Sequence, residues 1–219
     1  MTKIIVLVLF LVIGLALIKW WERRQAQQKT DNFDAIARQM GWIVEGDGRQ
    51  ALYNQLSHFK VFQRGSWQDI RSVLAGQHEG VDFRIISFRH GSMTGIPTEY
   101  VILLIEDGRR NLPALAFRHK KAGFRFKNGV TPPEFDTYPS LKQDYALQTE
   151  RPDEIRAFLR ANLLETLAMA VQNSHLLEVE MAVTQFLCYQ HKKGEGEIKT
   201  ATVQQLVQKG IQIYRQFVV

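Results

Sequence analysis

The chain has 219 residues, a single cysteine, 28 lysines and arginines against 22 acidic residues, and a formal net charge of +6. One cysteine, Cys188, excludes an intrachain disulfide and removes any need for an oxidising compartment, and the length allows a core without metal staples. The charge suits an anionic lipid surface but is too mild to call for nucleic acid, which is not expected as a partner.

Residues Ile4 to Ile18 carry no charged or hydrogen-bonding side chain. A helix from Ile4 through Trp21 would be roughly 27 Å long, close to the roughly 30 Å hydrocarbon core of a bilayer, and its aliphatic residues favour insertion by several kcal/mol, on the order of −0.3 to −0.6 each. A cleaved signal peptide would need small residues at the cleavage site, where this chain has Leu17, Ile18, Lys19, Trp20 and Trp21. The paired tryptophans read as interfacial anchors, with Lys19, Arg23 and Arg24 as the basic flank. That flank outweighs Lys3, so residues 1–24 are expected to be an anchor and juxtamembrane segment holding the body on the cytoplasmic side.

Beyond the anchor, Phe33, Ile36, Ala37 and Met40 have helical spacing, with Asp31 or Asn32 as cap and Gly41 as stop. Trp42 to Val44 predicts a short strand, and Leu52, Leu56 and Phe59 a second short helix. Between them Gly46 and Gly48 read as a turn, since a phosphate loop would need a third glycine and a preceding strand. Strands follow at Ile70–Leu74, Val81–Phe88, Tyr100–Ile105 and around Leu115 and Phe117, expected as an antiparallel meander. In the second of these Asp82 and Arg84 oppose Val81, Phe83 and Ile85; the phase then shifts to Ile86 and Phe88, which implies a bulge or burial on both faces.

The prolines at 132, 133 and 139 mark residues 128–144 as a linker, separating an α+β lobe at 25–127 from a helix–hairpin–helix lobe at 145–219. Pro152 suits a first helical turn, and Ile155, Phe158, Leu159, Leu163, Leu167 and Val171 supply that helix with a buried stripe. Leu176–Glu180 and Thr184–Gln190 read as strands. The last helix, capped by Thr200 or Thr202, carries Val203, Leu206, Val207, Gly210, Ile211, Tyr214, Phe217 and Val218 on a face that needs a sheet to cover. The expected class is α+β: an N-terminal transmembrane helix, a mainly antiparallel sheet and packing helices, as one unit or two small lobes.

Candidate chemistry is sparse. Cys188 and His191 fall on opposite faces of a regular strand, so the thiol reads as a small buried hydrophobe rather than a nucleophile. The six histidines show no zinc spacing, and neither Gly65-Ser66 nor Gly91-Ser92 forms a nucleophile elbow. Glu178 and Glu180 share a strand face, read as solvated rather than as an acid–base pair. No catalytic, cofactor or metal residue is assigned, and no cofactor is expected. The densest charge is basic, with Arg118, Lys120, Lys121 and Arg125 placed to contact anionic headgroups or an acidic membrane-protein partner.

Taken together the anchor, Gly41-Trp42, the stretch Leu74-Ala75-Gly76-Gln77-His78-Glu79-Gly80-Val81-Asp82-Phe83, Glu150-Arg151-Pro152, Leu176 to Glu180 and Phe186 to Tyr189 resemble a family of bacterial single-pass membrane proteins in which an anchor precedes a domain of unknown function. The resemblance implies a bacterial envelope protein and transfers no catalytic residue. The expected function is a scaffolding or binding protein anchored in the inner membrane, with the bilayer as one partner; the alternative is a membrane-tethered enzyme, such as a hydrolase, whose site assembles from distant residues.

Overall fold

The computed structural model describes residues 32–91, 97–109, 111–120, 129–149, 151, 155, 159–172, 177–191 and 198–218, together with Gly14, Leu17 and Trp20. The expected membrane anchor lies outside the described residues except for those three, which are helical. Among the described residues no helix is long and apolar enough to cross a membrane.

Alternating apolar residues build one antiparallel sheet of nine strands. In chain order these are β1 (Ile43–Glu45), β2 (Trp67–His78), β3 (Val81–Gly91), β4 (Thr98–Glu106), β5 (Leu112–His119), β6 (Gly129–Val130), β7 (Tyr145–Thr149), β8 (Leu177–Val183) and β9 (Gln185–His191). Their spatial order is β1-β2-β3-β4-β9-β8-β5-β7-β6. The helices are α1 (32–40), α2 (Arg49–Leu56), α3 (Pro139–Asp144), α4 (Ala161–Gln172) and α5 (Thr200–Val218).

The sheet buries both faces, which explains the phase shift in β3. Phe83 and Ile85 join one core with Leu103, Phe186 and the stripes of α1, α4 and α5. Ile86 and Phe88 join a second core on the opposite face with Ile102, Tyr189, the buried side of α2 and the 3-10 turn Lys60–Gln63. Two-sided burial therefore holds, while the bulge falls in β2, where Ile70 pairs with Phe88 and Ser72 with Ser87, leaving Arg71 between. Helix α5 approaches the sheet closely at Gly210, where a Cβ would lie 2.2 Å from the Leu103 side chain and 3.2 Å from the Cys188 Cβ. Only glycine lets the helix backbone sit that near.

Two expectations are corrected. The meander ends at β4: its second edge is taken by β9, from Tyr100 opposite His191 to Glu106 opposite Gln185, and the strand holding Leu115 and Phe117 pairs instead with β8 and β7. A strand apolar on both faces needs a neighbour on each side, and the hairpin β8–β9, though distant in the chain, fits that place better than the next strand. Nor is 128–144 a linker between separate lobes. Pro133 and Pro139 sit in the first turns of a 3-10 helix and of α3, whose Phe135 and Leu141 are fully buried, and β6 and β7 pair across this segment. The strands on its two sides belong to the same sheet.

Candidate functional site

Two clusters of arginine and carboxylate stand on the α2 face of the sheet, one sealed and one open. The sealed cluster follows from strand periodicity, because Glu178 and Glu180 on β8 and Arg118 on β5 all project toward this face. Glu180 accepts hydrogen bonds from the Arg118 Nη2 at 2.6 Å, the Tyr189 hydroxyl at 2.6 Å, and the backbone amides of Lys60 and Val61 at 2.7 and 3.1 Å. The last two are the opening amides of the 3-10 turn, so a side chain 119 residues away caps that turn and pins it to the sheet. Alongside, Arg64 donates to Glu178 at 2.9 Å and to the Tyr100 hydroxyl at 2.6 Å.

Arg64, Arg118, Glu178 and Glu180 are all buried. Charges removed from water at this cost persist only when paired and hydrogen-bonded. Burial, followed by the charges of Glu180 and Glu178, pushes the Tyr189 phenol well above its ordinary pKa, so it stays protonated and able to donate. Burial likewise raises Tyr100. His90 stacks on Tyr100 with ring centroids 5.6 Å apart, and burial, followed by the charges of Arg64 and His191, lowers its pKa to about 4. The imidazole is therefore neutral at physiological pH.

The open cluster lies at the β1 margin. Arg84 on β3 donates from Nε to both oxygens of Glu45 on β1, at 2.9 and 3.1 Å, and from Nη1 to Glu106 at the end of β4. Hydrogen bonding to Glu45 raises the Arg84 pKa from its ordinary value. Glu106 also accepts from Gln55 of α2 at 2.5 Å and from Gln185 of β9 at 3.2 Å. These groups are about one-third exposed and help line a groove of about 610 Å³ between β1 and β4, with Ile43, Ala75 and Leu104 as its apolar wall. That size suits a small ligand or a short stretch of chain.

Of the residues expected to contact headgroups or a partner, Arg118 is corrected: its side chain is fully buried against Glu180 and reaches neither lipid nor a partner. Lys120 is exposed and donates to the Lys142 carbonyl at 2.6 Å. Lys121 and Arg125 lie outside the described residues, as do Lys19, Trp21, Arg23 and Arg24 of the membrane-interface set. Trp20 is helical and exposed. Glu178 and Glu180 are correspondingly not a solvated face. Cys188 is buried beneath Gly210, and burial raises its thiol far above the range in which a thiolate forms.

Sequence reasoning missed Arg64 and the Glu45–Arg84–Glu106 triad. A signal for the first cluster was present: two glutamates at period two on one strand and an arginine closing the apolar run Leu115–Phe117 on another can meet across a sheet. Nothing local to Arg64 marks it, and Glu45, Arg84 and Glu106 come from three separate strands.

No family model and no curated protein matches the chain. Among solved structures, the crystal structure of the mycobacterial trehalose monomycolate transport factor A, TtfA, is similar in fold, with a TM-score of 0.58 and 11% sequence identity over 89% of this chain and 94% of that one. At that identity the likeness establishes a common architecture.

Proposed function

We propose that this chain is a membrane-tethered binding module, non-catalytic, whose α+β body stands on the cytoplasmic side of a bacterial inner membrane. The observation that carries this reading is the commitment of its charged groups. The carboxylates that sequence inspection offers for acid–base work, Glu178 and Glu180, are each bound to a buried arginine, and those of the groove, Glu45 and Glu106, hold Arg84 between them. Carboxylates neutralised by arginine serve recognition and stability better than proton transfer, which needs a group free to change its charge. The apolar run from Ile4 to Ile18 supports tethering, with Lys19, Trp20, Trp21, Arg23 and Arg24 at the boundary.

The shared fold with a protein titled a trehalose monomycolate transport factor is in keeping with a binding role rather than a catalytic one. The mechanism is colocalisation: confinement to two dimensions raises the effective concentration of the body toward other membrane proteins or anionic headgroups, without any new contact. Alkaline carbonate washing of membranes tests the tether, and the full-length chain is expected in the pellet; release to the supernatant would overturn it. A photo-crosslinking amino acid in place of Ile43 is expected to capture a discrete membrane partner in intact cells, and a reporter fused after Val219 is expected to be active on the cytoplasmic side.

A further inference from the structure

Resting on the reading above, we propose that the β1 margin receives an extended, cationic segment of a partner protein as a tenth strand. Three observations lead there. β1 is the terminal strand of the sheet, paired with β2 along one side, and among the described residues no strand takes its other side. The edge carries neither lysine nor proline, the usual guards against added strands; instead Ile43 is 70% exposed and Val44 42%, on opposite faces of the sheet. The groove alongside is lined by three carboxylates, Glu45, Asp82 and Glu106, against one guanidinium, Arg84, a formal charge of −2 on a chain whose total is +6.

Together these select the occupant. An added strand places alternate side chains on the two faces of the sheet. Those entering the groove beside Ile43 and Glu45 meet negative charge and should be lysine or arginine, while those between them lie next to Val44 and should be apolar. A second copy of this chain fits less well, because a symmetric β1–β1 pairing would bring one acidic groove against another. Backbone pairing over three residues is weak by itself, so charge in the groove supplies the selectivity.

The test uses the full chain in detergent micelles and two fluorescent peptides, acetyl-(Lys-Val)₄-amide and acetyl-(Glu-Val)₄-amide, followed by anisotropy. Saturable binding of the lysine peptide is expected, at least tenfold tighter than the glutamate peptide and weakened by added salt. Ile43→Lys, which places a cation in the groove mouth, and Val44→Pro, which removes an edge amide and adds a ring, are each expected to weaken it tenfold or more. Matching thermal melts establish that the variants fold; should Val44→Pro not fold, the exposed Ile43→Lys change carries the test. Equal binding of both peptides, no saturable binding, or unchanged binding by a folded Ile43→Lys variant would overturn the proposal. So would a dimer in sedimentation that Ile43→Lys dissociates, since the occupant would then be a second copy. None of these outcomes touches the tether or the side of the membrane on which the body stands, which are read by carbonate washing and by the reporter fused after Val219.

Discussion

The same chemistry appears twice on one face of the sheet, with opposite consequences. At the β8–β5 side Arg118 and Arg64 meet Glu180 and Glu178 out of contact with water; at the β1 side Arg84 meets Glu45 and Glu106 with each partner about one-third exposed. The cost of removing ions from water separates the two. A sealed pair is held by its surroundings and in turn holds them, because neither partner can be lost without stranding the other. An open pair is screened by solvent, contributes little to folding, and can exchange one partner for an incoming one.

The largest expected effect comes from breaking the sealed cluster. Glu180→Ala strands the Arg118 guanidinium, removes the acceptor of the Tyr189 hydroxyl, and uncaps the amides of Lys60 and Val61. A loss of about 3–5 kcal/mol is expected in urea unfolding followed by tryptophan fluorescence, as for other buried pairs with one partner removed. A loss below about 1 kcal/mol would mean that water reaches the cluster, and would erase the contrast with Arg84.

The contrast also shows which parts of this fold were legible. The stripe of α5 could be read directly, since spacing of three and four residues fixes a helix face whatever it packs on, and Val203, Leu206, Val207, Gly210, Ile211 and Tyr214 are all buried. Burial on both faces of β4 was legible because Tyr100–Ile105 is apolar without a break, and in β3 the phase shift offered it as one of two readings, beside a bulge. Strand order was not, because period-two alternation says which face a side chain takes and nothing about which strand lies beside it. Hence the place of the β8–β9 hairpin between β4 and β5 could not be foreseen, and so the charges of Arg118 and Glu180 were legible while their adjacency was not. In sequence Arg118 reads as a surface cation on the general rule that charge lies outside, which fails where opposite charges from two strands close on each other. The groove was invisible for a related cause: its charged residues come from β1, β3 and β4, and no local motif joins them.

A second and smaller effect probes the border of the sealed cluster through pH. The folded-state pKa of His90 is about 4, below its ordinary 6.5, so the unfolded chain binds the proton more readily. The contribution of His90 to stability is therefore complete above pH 6.5 and lost as pH falls toward 4. The ring is only partly buried, so about 1 kcal/mol between pH 7 and pH 5 is a realistic share of the full linkage. His90→Phe, which keeps an aromatic ring beside Tyr100, is expected to flatten that part of the curve when the stabilities of parent and variant are subtracted at each pH. Identical slopes would show that solvent reaches this site freely and that neither burial nor the Arg64 charge opposes its protonation.

The smallest effect belongs to the open cluster, and its smallness is what sharpens the comparison. Arg84→Ala removes the donor that Glu45 and Glu106 share, yet Glu106 keeps its hydrogen bonds from Gln55 and Gln185, and solvent can hydrate both carboxylates. Less than about 1 kcal/mol of unfolding free energy should be lost, shrinking further in high salt. The same substitution makes the groove lining more acidic, so binding of the lysine peptide should tighten while stability falls slightly. A loss above about 3 kcal/mol would place this triad with the sealed pairs and make the groove part of the core's support. Opposite movement of stability and cation binding is something no buried pair could produce, since there the arginine's removal would cost the fold first.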